Sequence, residues 1–365
     1  MRRTRTRPAL LIAATAGTAV VLAGCSASSD AALDPDADLS TQTLTVTTWP
    51  EYYPPTLAED FEKATGVHVE ILHHATNEEG LAKVTTSADT GIDVAFLSGG
   101  PVSVLIEEGL VSPLDHSALP NLANLYPEAS EFAFDPGLVY SAPYAWGTTG
   151  ICYRSDLVSG TPTSWADILT PAPEHVGRIT MLDDLRWMFL PAQKLLGYSL
   201  NTTDDDELAD VEKVLSAASR NLLAFDNTTY GDKLAAGEAT LSEAFDGWCN
   251  VAAQSDPRIA FALPEEGSDL WVDSAVILSS SQNKEAAHAF IDYVLSTDVS
   301  TWITENLLYN TPNEKAMTQL PSDLFATYTA LTADGARLAS MEQIVDLGAD
   351  VEKYNLISTR VRADQ

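Results

Sequence analysis

The chain has 365 residues and carries 52 Asp and Glu against 20 Lys and Arg, a formal charge of −32. That length is comfortable for two domains, and so large an acid excess excludes a phosphate-backbone partner, which needs a basic face. The three cysteines show no CxxC spacing and no Cys/His cluster, so the pattern calls for no metal and no cofactor.

Arg2, Arg3, Arg5 and Arg7 precede an apolar run from Pro8 to Ala23. The run is too short and too early for an ordinary spanning helix, and it reads as a secretory signal. It closes on Leu22-Ala23-Gly24-Cys25, which looks like a bacterial lipobox, so residues 1–24 are predicted to be removed and Cys25 to be lipidated. The following stretch, SASSDAALDPDADLSTQ, has almost nothing to bury and is predicted to be a flexible tether, making 25–42 an anchor segment. Its coil reach of roughly 20–25 Å would let the folded part move over the membrane surface.

The folded part is organised around LTVTTWPEYYPP, Leu44–Pro55. Leu44 and Val46 mark a strand, and Leu57, Phe61 and Ala64, stopped by Gly66, mark a helix. Trp49 and Tyr52 therefore fall at the carboxyl edge of a strand, where open α/β sheets bind ligands, or else they pack under a loop. A strand at 67–73, a helix near 78–87, a buried strand at 92–97 and a helix from Pro101 to Gly109 follow. This order predicts a mostly parallel sheet with right-handed crossovers. The neighbours His73 and His74 point to opposite faces of their strand and cannot share a metal.

At 140–147 the chain runs extended and aromatic, then enters a strand at 148–153, which reads as a crossing into a second domain. That domain continues through a strand at 178–182, helices near 188–196, 206–220 and 230–236, a strand at 239–245 and a helix at 248–254. The strand 270–278 is the expected return, with helices at 284–295 and 298–306 on the first domain and helices near 322–332 and 350–361 on the second. Trp146, Trp165 and Trp302 read as core residues. With Cys25 lipidated, Cys152 and Cys249 remain as an even pair in an oxidising compartment, and they are expected to form a disulfide inside the second domain.

Eight short motifs then add up to a resemblance. They are WPEYYPP, Phe61–Gly66 (FEKATG), Pro143–Gly147 (PYAWG), Thr163–Asp167 (TSWAD), Leu182–Arg186 (LDDLR), Leu196–Ser199 (LGYS), Leu270–Ser274 (LWVDS) and Tyr309–Asn313 (YNTPN). In this order over most of the chain, they resemble the spermidine/putrescine-binding lipoproteins of bacterial ABC importers, within the extracellular solute-binding proteins. The resemblance implies two α/β lobes that close over a ligand in the cleft between them and deliver it to a membrane permease. The implied division is 43–147 with 272–317 for the first lobe and 148–271 with 318–365 for the second. It implies a monomer that works outside the cytoplasm and binds no nucleic acid.

In that family a polyamine lies between aromatic side chains while carboxylates hold its ammonium groups. On the matching positions here stand Trp49, Tyr52 and Tyr309 as aromatics, Trp271 and Asp273 on the return strand, Asp184 as a carboxylate of the second lobe and Ser98 at a strand end. The pattern also departs. The second carboxylate is replaced by Trp187, an aromatic is replaced by Gly100, and a tryptophan by Phe245, beside Asp246; the family's glutamine falls loosely on Gln343. Trp187 would suit a ligand with one fewer primary ammonium and a softer cationic end, so a quaternary amine is the alternative ligand. A hydrolase using Asp183 or Asp184 with Asp273 is disfavoured, since no nucleophile–base spacing is present and adjacent aspartates do not face each other. An adhesive or sensory lipoprotein would not need the aromatic–carboxylate set. Asp183 reads equally as a helix cap.

Overall fold

Two five-stranded sheets organise the residues that the computed structural model describes, 33–365 apart from 35, 87–90 and 333–334. The signal segment, Cys25 and the first part of the tether lie outside them. The first lobe runs β1 (Thr43–Thr48), α1 (Leu57–Thr65), β2 (His68–His73), α2 (Asn77–Thr85), β3 (Val94–Ser98), α3 (Gly99–Glu107) and β4 (Ser141–Gly147). The apolar spacing of α1 buries Leu57 and Phe61, and Gly66 ends it in the left-handed conformation that glycine tolerates. α2 starts on the Thr76 side chain, which accepts from the Glu79 N–H, and Glu79 in turn accepts from Ala75.

The second lobe follows as β5 (Thr149–Arg154), α4 (Ala166–Leu169), β6 (Ile179–Met181), α5 (Leu190–Leu196), α6 (Asp205–Ser219), β7 (Ala224–Phe225), α7 (Tyr230–Ala236), β8 (Leu241–Phe245), α8 (Asp246–Ser255) and β9 (Ile259–Ala262). β10 (Trp271–Ile277) returns to the first lobe, which α9 (Lys284–Val294), α10 (Thr297–Leu307) and α11 (Glu314–Met317) complete. α12 (Ser322–Thr327), α13 (Gly335–Ala339) and α14 (Val351–Ala363) close the chain. The strand orders are β2-β1-β3-β10-β4 and β7-β6-β8-β5-β9.

Both sheets are mixed. β1 pairs in parallel with β2 and β3, and β6 with β7 and β8. The strands at the crossings run against their neighbours: β10 is antiparallel to β3 and β4, and β5 to β8 and β9. A strand that re-enters a lobe from the other side arrives in the reverse direction, so the crossings dilute the parallel character expected from the first three strands. β4 and β5 meet at Thr148, which makes the first crossing a single residue.

Each lobe has its own core. Phe61, Phe290, Val94, Phe96 and Trp146 anchor the first, and Ile151, Trp165, Met181, Leu190, Leu215 and Tyr354 anchor the second. Trp146 and Trp165 are fully buried, and Trp302 is half-buried against the first core. A separate apolar cluster in the second lobe encloses the Cys152–Cys249 disulfide, which joins β5 to the first turn of α8.

Two expectations change. Residues 318–365 do not all belong to the second lobe. α14 packs there through Tyr354, Ile357 and Val361, but Leu338, Ala339 and Met341 join the first core, and Gly335 lies flat against the Tyr126 ring. The apolar side of so short a helix is satisfied by whichever core it reaches, and sequence spacing does not say which. The end of the supposed tether is also anchored. The Asp34 N–H and the Gln42 side chain both donate to the Glu285 carboxylate, and Asp38 caps the 3-10 turn Leu39–Thr41. Polar residues with nothing to bury still found hydrogen-bond partners on α9.

Candidate ligand-binding site

β1 delivers its last residues to the carboxyl edge of the first sheet, and the turn after it folds back over that edge. Glu51 occupies the turn with φ 60, a left-handed position that a side chain takes at a cost of about 1–2 kcal/mol. The result is that Trp49 meets Tyr52 edge-on with ring centroids 5.3 Å apart, and Tyr52 points inward. His74, beneath Trp49, is buried and bonded to Thr47, with burial lowering its pKa to about 4, so it stays neutral. His73 faces the other way and bonds Tyr53.

Tyr52 donates its hydroxyl to Asp273 Oδ2 at 2.7 Å, and the Ser98 hydroxyl donates to Asp273 Oδ1 at 2.5 Å. Ser98 lies across from Asp273 in the β3–β10 register, and Asn77 at the start of α2 donates to Ser98 Oγ and accepts the Ser98 N–H. Asp273 is 8% exposed, and its hydrogen-bond partners among the described residues are neutral hydroxyls. Loss of water raises its pKa, and the two hydroxyl donors pull partly back. Tyr52 is held protonated, first by burial and then by the charge of Asp273.

Trp271, two residues before Asp273 on β10, emerges on the same face. Its ring meets Tyr309 edge-on at 5.0 Å, and Tyr309 reaches Tyr52 at 6.2 Å. The Trp271 indole N–H is buried and has no hydrogen-bond partner among the described residues. Tyr309 comes from the segment after α10 and lies across the first turn of α8 in the other lobe. A Cβ on Gly247 would sit 2.1 Å from its ring carbons, so only glycine admits this contact. Asp246 lies next to Gly247, fully buried; it accepts the Gly247 N–H at 2.9 Å and faces Asn310 Nδ2 at 3.4 Å. Burial, less the pull of these donors, pushes its carboxyl up to about 8.

Of the remaining expected residues, Trp187 packs edge-on against Phe245 at 5.5 Å and donates its indole N–H to Asp269. Asp184 is exposed; partial loss of water, then Glu78 of the first lobe, raises its carboxyl pKa. Its neighbour Asp183 pairs with Arg362 of α14 rather than capping a helix through its side chain. Gln343 is not gathered with the aromatic set: its Oε1 accepts from the Ala133 N–H. The structure adds residues the reading lacked. Asn77 and Tyr144 support Ser98 and the Tyr52 carbonyl, and Asn310 bridges Asp246 and the Ala330 carbonyl. Asp269 could have been found by extending the two-residue period of Trp271 and Asp273 backward along SDLWVD.

The family model described as bacterial extracellular solute-binding protein matches residues 56–351. The spermidine/putrescine-binding periplasmic protein of Escherichia coli (strain K12) is 34% identical over 322 residues, 88% of this chain and 92% of that one. A putrescine/cadaverine-binding protein of Pseudomonas aeruginosa is 30% identical, covering 82% and 88% of the two chains. Among solved structures, the spermidine/putrescine ABC transporter substrate-binding protein PotD from Streptococcus pneumoniae superposes with a TM-score of 0.81 at 27% identity, covering 88% of this chain and 99% of that one.

Proposed function

The chain belongs to the bacterial extracellular solute-binding proteins, and on that footing we propose that it is the extracytoplasmic receptor that captures a polyamine and hands it to the permease of an ABC importer. Its family and relatives are substrate-binding proteins rather than enzymes. The observation that carries the polyamine reading is Asp273, a buried acceptor held by neutral hydroxyls, with Tyr52, Trp271 and Tyr309 around it. A buried carboxylate without a counter-ion is costly, and an ammonium supplies one. Aromatic faces contribute about 0.5–2 kcal/mol each to a cation and also cover the methylene stem.

In this proposal Trp49, Tyr52, Trp271, Asp273 and Tyr309 form the first-lobe wall and the join, with Ser98 orienting Asp273, and Trp187, Phe245 and Asp246 form the second-lobe wall. Asp184 stands at the rim. The lobes divide near 43–147 with 272–317 and 148–271 with 342–365, and residues 335–341 are reassigned to the first. Cys25 carries the lipid anchor, and the receptor acts as a monomer. A thermal-shift screen of putrescine, spermidine, glycine betaine and amino acids tests the reading. A polyamine at a hundred times its dissociation constant should add about 2.7 kcal/mol of stability; a response to betaine alone would assign a quaternary-amine receptor instead.

Binding should also depend on pH. Below about pH 8 the empty site holds Asp246 largely as the acid, and an ammonium must displace its proton. Polyamine affinity measured by calorimetry should therefore fall between pH 8 and pH 6, and a flat profile would remove Asp246 from the contacts. The ligand-free protein moves the opposite way. The folded-state value of Asp246 lies above its ordinary 3.8, so its contribution to stability is complete below about pH 4 and is lost as the pH rises through about 8.

Because Tyr309 of one lobe rests on Gly247 of the other, closure of the lobes on ligand should be blocked by Gly247→Ala. Overpacking of this kind costs about 1–3 kcal/mol in the closed state. Small-angle scattering should show the wild type contracting on saturation with spermidine and the variant contracting less; equal contraction would mean that Tyr309 can move aside freely.

A further inference from the structure

Asp269 precedes Trp271 and Asp273 at two-residue spacing on the extended return segment, where it makes an isolated bridge to Glu342. It is 1% exposed. Its Oδ1 accepts the Thr149 N–H at 2.8 Å and the Ser268 hydroxyl at 3.3 Å, and its Oδ2 accepts the Trp187 indole N–H at 2.7 Å. All these donors are neutral. Glu243 lies on β8 two residues before Phe245, so the two side chains share a face, and Trp187 packs on Phe245 there. Glu243 is also fully buried. Its Oε2 accepts the Leu182 N–H at 3.1 Å, while its Oε1 has no hydrogen-bond partner among the described residues.

Resting on the polyamine reading above, we propose that Asp269 and the unpartnered Glu243 Oε1 form a second ammonium position, so that an α,ω-diamine or longer polyamine spans from Asp273 to Asp269 along the face of Trp271. Four residues of extended chain set the two aspartates about 13 Å apart along the backbone. Allowing a charged hydrogen bond of about 3 Å at each end leaves the reach of a short aliphatic diamine between them. Asp269 Oδ2 and both oxygens of Glu243 and of Asp273 keep a lone pair beyond those already used, while Asp269 Oδ1 already accepts twice. Burial raises the pKa values of both Asp269 and Glu243, and Glu243 also feels the charge of Asp269, as in a site that lacks its cation. Trp187, which stands where a carboxylate was expected, does not leave the second lobe without one. It holds Asp269 in place.

Titration calorimetry with putrescine and n-butylamine as probes tests the assignment. Wild type should prefer putrescine by about tenfold or more, the effect of one added charge-assisted hydrogen bond. Asp269→Asn keeps shape and acceptor oxygen, and it should abolish most of that preference while leaving butylamine binding nearly unchanged. If Asp269→Asn retains the wild-type preference and only melts earlier, Asp269 merely ties Thr149 to Trp187 and the proposal falls. Should that variant not fold, Glu243→Gln retains an acceptor for Leu182 and removes the charge; it should reduce the preference about threefold or more, and an unchanged ratio would overturn the proposal. Wild type that binds both amines equally overturns this inference alone. Wild type that binds neither overturns the polyamine reading, and this inference with it.

Discussion

Asp273→Asn should weaken polyamine binding by about 2–4 kcal/mol, roughly 30- to 1,000-fold, as for truncation of a desolvated charge pair. The estimate rests on burial and on the partners. Asp273 is nearly inaccessible, and its carboxylate is held by the Tyr52 and Ser98 hydroxyls, with no paired cation among the described residues. Asparagine preserves the shape, and both hydroxyls can rotate to meet an amide, so the fold should lose about 1 kcal/mol or less. A purely structural Asp273 predicts the reverse pattern, a lowered melting point with intact affinity. Calorimetric titration with spermidine beside a melting curve separates the two, and the reverse pattern would remove β10 from the centre of the site.

Loss of the disulfide should have a comparable effect on stability. Cys152 and Cys249 close a loop of 97 residues, and opening it in the unfolded chain is worth about 4–5 kcal/mol by the loop-closure relation. Both residues are buried among Leu182, Leu234 and Ala244, so Cys152→Ala with Cys249→Ala also leaves a small cavity. Guanidinium unfolding of the oxidised wild type against the double variant measures the difference. An unchanged midpoint would show that the unfolded chain is not constrained by this link. The bond also fixes the first turn of α8, where Asp246 and Gly247 lie, so the variant should bind spermidine more weakly as well as unfold earlier.

Local pattern carried far in this chain. Phe61 with Gly66 marked α1, and the apolar run ending at Ser98 marked β3, because burial periodicity and a glycine stop act within one element. The face shared by Trp271 and Asp273 follows from strand geometry alone. Two crossings, two lobes and the pairing of Cys152 with Cys249 were legible for the same reason: chain order and compartment suffice to state them. The short strand Ile259–Ala262 was missed, since four residues give too little periodicity to read.

What the sequence could not decide was which side chains separated by many residues would share a hydrogen bond. Tyr52 and Asp273 are 221 positions apart, and only the β3–β10 register and the turn at Glu51 set them 2.7 Å from each other. Gln343 matched a binding position loosely, yet the fold gives its oxygen to the Ala133 backbone. Trp187 read as the loss of a carboxylate; in three dimensions its N–H holds Asp269, and Glu243 from another strand lies buried beside them. Composition and spacing determine what each segment can bury. Hydrogen bonds act over about 3 Å, so which polar groups are satisfied, and which are left for a ligand, is decided only when the lobes have folded and the crossing strands have fixed their register.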